Sequence, residues 1–294
     1  MSEPAHIQAF FDEATFTVTY LVGDPATKAA AVIDPVLDFD PAAGQVSTAS
    51  IDAVLAAAAR GGWTITHVLE THAHADHLSA ASLIKARTGA RVGIGAKIDE
   101  VQRVFAGVFN APDVSGTGAE FDDLFSDGET FRIGTLAVEV MHTPGHTPAC
   151  VTYRVGDAAF VGDTLFMPDY GTARADFPGG DAAGLYRSIR RILALPPETK
   201  LYLCHDYKAP GRDHFAWETT VAEERARNVH IRDGVDEAAF VALRQDRDQA
   251  LPVPRLLLPS IQINIRAGRL PPAEDNASHY LKLPIGLPAG SDWA

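Results

Sequence analysis

The six positions from His72 to His77 (His-Ala-His-Ala-Asp-His) carry three imidazoles and one carboxylate. Ordinary core packing does not need that density; metal binding does. Upstream, Ile65 to Glu70 reads as an apolar strand, and downstream Leu78 to Ala86 reads as an amphipathic helix. The cluster therefore falls on a turn between strand and helix, where irregular backbone lets several side chains converge. Neutral imidazole suits Zn, Fe, Cu and Ni, and a nearby carboxylate adds a hard anionic ligand.

Three later segments deliver further polar residues. Met141 to Pro148 is too rich in turn formers to be strand interior, and Gly145 would present His146 from a tight loop. Ala158 to Phe166 is a buried-strand pattern interrupted by Asp163, and Lys200 to Tyr207 is a strand ending in His205-Asp206-Tyr207.

The ordered set His-x-His-x-Asp-His at 72 to 77, Gly-His-Thr at 145 to 147, Gly-Asp-Thr at 162 to 164 and Cys-His-Asp at 204 to 206 resembles the metallo-β-lactamase superfamily. Within it, Gly171 to Phe177 and Cys204 to Tyr207 are similar to the persulfide dioxygenases. The likeness covers roughly residues 8 to 215. It implies an α+β fold, the four-layer αβ/βα sandwich, with metal at the sheet edges between two halves. Periodicity alone gives only an α/β or α+β chain with one large core.

The superfamily's two-metal arrangement would place His72, His74 and His146 on one metal, Asp76, His77 and His205 on the other, and Asp163 between them. In the dioxygenases, one Fe(II) per chain is held by the residues matching His72, His146 and Asp163, leaving open positions on one face. His74, Asp76, His77 and His205 then orient ligands and organise water, or form a vacant second metal site. The implied reaction places both atoms of O2 on the terminal sulfur of glutathione persulfide, after which water releases sulfite and glutathione. The alternative is a zinc-dependent thioester hydrolase of the glyoxalase II type, which needs a metal-bound water of lowered pKa. A non-catalytic binding protein on this fold is disfavoured, because every ligand position is filled.

On this reading Tyr207 presents its hydroxyl to the iron face; otherwise it is an ordinary strand-end tyrosine. Glutathione carries two carboxylates and one ammonium, so its pocket should hold Arg or Lys and neutral donors. Arg174, Lys208, Asn264 and Arg266 are the candidates. Each has a rival role: an Arg174–Asp176 pair that fixes a loop, a solvated lysine, and a subunit interface for the last two. His142 is assigned to loop structure.

A net charge of −13 argues against nucleic acid or an anionic membrane as partner. A small soluble substrate is expected, and the family resemblance implies a homo-oligomer, a dimer. Met1 to His6 lacks the apolar core of a signal peptide, so a cytoplasmic chain is expected. The longest apolar run, Ala53 to Ala59, is far short of the roughly 20 residues a membrane helix needs. The two cysteines, Cys150 and Cys204, form no Cys-x-x-Cys pair and read as buried, inert thiols.

Without linker or repeat, residues 1–294 read as one domain, with a proline-rich C-terminal extension from about 250 packed on it. Strands are expected at Phe16 to Val22, Ala29 to Asp34, Glu129 to Met141 and Ala149 to Val155, and helices at Ser50 to Arg60 and Ala182 to Leu195. Asp38 to Gln45 reads as turn-rich. Leu251 onwards brings prolines close together and disfavours helices longer than two turns. Ile261 to Arg266 reads as an extended strand, its isoleucines on one side and Gln262, Asn264 and Arg266 on the other, lining a cleft.

Overall fold

Alternation along the strands decides the layers. In strand Thr17–Gly23, Val18, Tyr20 and Val22 belong to one buried cluster and Leu21 to another; in Ala29–Ile33, Ala31 and Ile33 face the first cluster and Ala30 and Val32 the second. A strand buried on both faces must lie inside a layered structure. The computed structural model describes residues 4–286; the first three and last eight residues of the expected domain, and Met1 to Glu3 of the signal-peptide reading, lie outside the described residues.

The first half runs β1 (His6–Asp12), β2 (Thr17–Gly23), β3 (Ala29–Ile33), β4 (Val36–Asp40), β5 (Gln45–Ser47), α1 (Ala49–Gly61), β6 (Thr64–Leu69), β7 (Leu78–Ser79), α2 (Ala81–Thr88), β8 (Arg91–Gly95), α3 (Ile98–Val108) and β9 (Asp123–Phe125). The second half runs β10 (Thr130–Ile133), β11 (Leu136–His142), β12 (Val151–Val155), β13 (Ala158–Phe160), α4 (Ala182–Ile192), β14 (Lys200–Tyr202), β15 (Glu218–Thr220), α5 (Val221–Arg227), α6 (Glu237–Ala250) and α7 (Leu257–Asn264). Two six-stranded sheets result, ordered β1-β2-β3-β6-β8-β9 and β10-β11-β12-β13-β14-β15.

The sheets face each other across a core that joins Val18, Tyr20, Ile33 and Leu69 to Val138, Val140, Tyr153 and Phe160. Each fully buried large side chain of this kind contributes about 2 kcal/mol. Outside the first sheet lie α1, α2, α3 and α7, through Ile51, Ile84, Ile98 and Ile261; outside the second lie α4 and α6, through Leu185, Ile189 and Phe240. Helix, sheet, sheet, helix is the expected four-layer sandwich. Among the described residues no helix is long and apolar enough to cross a membrane.

Two local expectations are corrected. Glu129 to Met141 is two strands, split at Gly134, whose φ of +60° suits a hairpin turn. Asp38 to Gln45 holds the expected turn, at residues 41–44, which closes the β4–β5 hairpin with Asp38 opposite Ser47. Ile261 to Arg266 is not a strand: residues up to Asn264 form α7, with Pro259 in its first turn, where a missing N–H costs nothing. Its isoleucines and its polar residues alike are buried, so burial all round, rather than one apolar face, produces the pattern.

Candidate metal centre

Every candidate ligand sits just beyond the end of a strand, on the edge where the two sheets meet. His72, His74, Asp76 and His77 follow β6, His146 follows β11, Asp163 follows β13 and His205 follows β14. Gly145 permits the turn before His146: its φ is +137°, and an added Cβ would lie 2.2 Å from the Leu185 backbone nitrogen.

Each imidazole is held by one nitrogen and offers the other. His72 Nδ1 lies 3.0 Å from Thr71 Oγ1, and His146 Nδ1 donates to the Arg174 carbonyl at 2.8 Å. His77 Nδ1 and His205 Nδ1 both lie 3.3 Å from Thr17 Oγ1, and His74 Nε2 lies 3.0 Å from Asp34 Oδ1. Asp34 also accepts from the Thr71 N–H at 2.7 Å and its hydroxyl at 2.9 Å, pinning the start of the loop. The opposite atoms, His72 Nε2, His74 Nδ1, His77 Nε2, His205 Nε2 and Asp163 Oδ1, are buried without a hydrogen-bond partner. Five such orphans in one place fit a metal, because buried polar atoms are otherwise paired.

Two groups form. His72, His146 and Asp163 offer ligand atoms within 4.8 Å of one another, as do His74, Asp76, His77 and His205. Asp163 reaches both: Oδ2 is 4.0 Å from His72 Nε2 and 3.8 Å from His146 Nε2, while Oδ1 is 3.3 Å from His205 Nε2. Burial and the neighbouring histidines hold the His72 pKa well below its usual value, and burial lowers that of His77, so both are neutral ligands. Burial alone would lower His74 too, but Asp34 and Glu70 raise it well above the usual range. Burial opposes ionisation of Asp76, yet the facing His205 and His77 lower its pKa. Both cysteines stay thiols, burial pushing Cys150 up to about 12 and Cys204 well above its ordinary value.

The centre opens into a cleft of 660 Å³ with His146, Asp163 and Asp76 at its inner end and Phe16, Phe166, Tyr170, Tyr207 and residues 251–256 as walls. Tyr207 lines the cleft, its ring stacked on His205 at 5.7 Å. Arg174 lines the cleft too, with its guanidinium bound to Asp176 at 2.6 Å and 2.7 Å and to the Pro252 carbonyl at 2.8 Å.

The other substrate candidates lie elsewhere. Lys208 stands over the Phe215 ring at 4.3 Å. Arg266 is buried against Asp113 at 2.7 Å and 2.8 Å. Asn264 accepts from the Ser79 N–H and donates to the His74 and His77 carbonyls, each at 2.8 Å, so it braces the metal loop instead of facing substrate. Asn264→Ala should therefore cost about 3 kcal/mol, by leaving those groups unpaired, and loosen the centre; a denaturant midpoint and metal content measured on the same protein check both.

Arg247 and Arg255, absent from the sequence-derived candidates, also line the cleft, and among the described residues their guanidiniums make no hydrogen bond or ion pair. Only the three-residue spacing of Arg244 and Arg247 hinted that both share a helix face.

The family profile described as the Metallo-beta-lactamase superfamily matches residues 13–205. The chain is 53% identical over 95% of its length to a probable metallo-hydrolase of Burkholderia pseudomallei, covering 98% of that protein. It is 50% identical to a beta-lactamase hydrolase-like protein of Xylella fastidiosa over 98% of its own length, and spans 66% of that longer relative. Identity is 46% with Glyoxylase B2 of Dictyostelium discoideum (97% of this chain, 98% of the relative) and 30% with the mitochondrial persulfide dioxygenase of Homo sapiens (90% and 89%). The crystal structure of ETHE1 from Myxococcus xanthus superposes with a TM-score of 0.72 at 33% identity, over 90% of this chain and 100% of that one.

Proposed function

The chain belongs to the metallo-beta-lactamase superfamily, and on that premise we propose that it is an iron-dependent persulfide dioxygenase acting on glutathione persulfide. It is a metal-centre enzyme of that superfamily. The observation that carries the finer reading is the His72, His146 and Asp163 group, two histidines and one carboxylate beside a cleft. That donor set suits one Fe(II), which when bound supplies open coordination positions and the redox chemistry of O2. A relative of this chain carries the name persulfide dioxygenase.

In the proposed reaction the sulfane sulfur gives four electrons to O2, gains both oxygen atoms, and is released by water as sulfite, leaving glutathione as the thiol. The protein's part is to place and shield the persulfide. Phe16, Phe166 and Tyr170 wall the inner cleft against water, and the Tyr207 hydroxyl supplies a donor there. Arg247 and Arg255 give the outer cleft two unpaired guanidiniums on a chain of net charge −13, suiting the two glutathione carboxylates. Arg247→Ala and Arg255→Ala should each raise KM for glutathione persulfide about tenfold and leave kcat nearly unchanged; steady-state kinetics on the two variants check this. A cytoplasmic homodimer is part of the same proposal.

A zinc-dependent thioester hydrolase remains the second reading. It is favoured by the completeness of the His74, Asp76, His77 and His205 group and by the relative named Glyoxylase B2. Assay of one preparation with glutathione persulfide and with a glutathione thioester separates them. Sulfite formed at the rate of O2 loss supports the dioxygenase; thioester cleavage without O2 loss supports the hydrolase.

A further inference from the structure

Helix α6 lies outside residues 13–205, yet it carries a buried ion pair, Arg244–Asp248, at 2.9 Å and only 2% and 7% exposed. Such a pair is a weak source of stability, since its desolvation offsets its attraction. Its contacts give it another use. Asp248 Oδ2 accepts from the Ala175 N–H at 2.9 Å. That N–H belongs to the peptide group whose other end, the Arg174 carbonyl, accepts from His146 Nδ1 at 2.8 Å. A single peptide plane thus has a carboxylate on its N–H and a candidate metal ligand on its C=O. Arg244 Nη1 donates to the Thr172 and Ala173 carbonyls at 2.8 Å and 2.9 Å, fastening the preceding turn to the same pair.

We propose that Asp248 is a positioning residue for His146, acting through the Arg174–Ala175 peptide, with Arg244 holding both carboxylate and loop in place. The carbonyl fixes the His146 tautomer with the proton on Nδ1, leaving the Nε2 lone pair for the metal. An anionic acceptor on the N–H polarises the peptide and strengthens its carbonyl as an acceptor, which makes the imidazole a better donor to metal. The inference concerns metal binding, so it holds whether the centre oxidises persulfides or hydrolyses thioesters.

The test is cobalt(II) affinity of the full chain, by chelator competition and visible absorption, for wild type, Asp248→Asn, His146→Ala and the double variant. Asp248→Asn should weaken binding about tenfold in the wild-type background and have no further effect in the His146→Ala background. The paired substitution R244M/D248L, which removes both charges together so that neither is left buried and unpaired, should show the same loss on protein that circular dichroism shows to be folded. Affinities within twofold of wild type in a folded variant, or an equal loss with and without His146, would overturn the proposal.

Discussion

Asp163→Ala is expected to remove metal from the protein and with it essentially all activity. Among the described residues Asp163 alone has oxygens that reach both groups, Oδ2 towards His72 and His146 and Oδ1 towards His205. Without it the first group is two imidazoles with no anionic ligand. Loss of an outer hydrogen-bonding partner already weakens a site by about 10- to 100-fold, so loss of this ligand should exceed about 100-fold. The fold should survive, because Asp163 Oδ1 has no hydrogen-bond partner and the strand before the residue is packed by Ala159 and Phe160. Elemental analysis after dialysis, alongside circular dichroism, reads both. A variant that keeps its metal would remove Asp163 from the centre.

The second large effect is expected at Tyr207. Burial, reinforced by the Asp76 and Asp163 charges, raises its pKa well above the ordinary value, so the hydroxyl stays protonated and donates throughout the working range. Tyr207→Phe keeps the ring and therefore its packing on His205, Phe16, Phe166 and Tyr170. Only the donor is lost. Metal content and KM should stay close to wild type while kcat falls about 100-fold, the scale of removing one preorganised donor from a reacting centre. An unchanged kcat would reduce Tyr207 to a wall residue.

The clustering of the candidate ligands is legible because metal-binding side chains fall beside turn formers at strand ends, and residue type and punctuation are both local signals. Gly145 before His146 and Gly162 before Asp163, the latter with φ of +53°, show that coupling in the structure. The outer wall of the cleft is less legible for a physical reason. Residues 251–256 have no regular periodicity, and Arg247 lies on a polar helix whose only buried residues are Phe240, Arg244 and Asp248. Asn264 shows the opposite failure: a polar side chain within an isoleucine run suggests an exposed edge, but it is buried and fully employed on backbone groups 185 to 190 residues away. Hydrogen bonds at that separation leave no local trace in sequence.

The most direct test of the dioxygenase reading is the metal load of protein purified with iron available, measured together with O2 uptake on adding glutathione persulfide. One iron per chain is expected, with oxygen consumed in step with sulfite and loss of both in Asp163→Ala. Two zinc ions per chain and no oxygen uptake would contradict it and assign the centre to thioester hydrolysis.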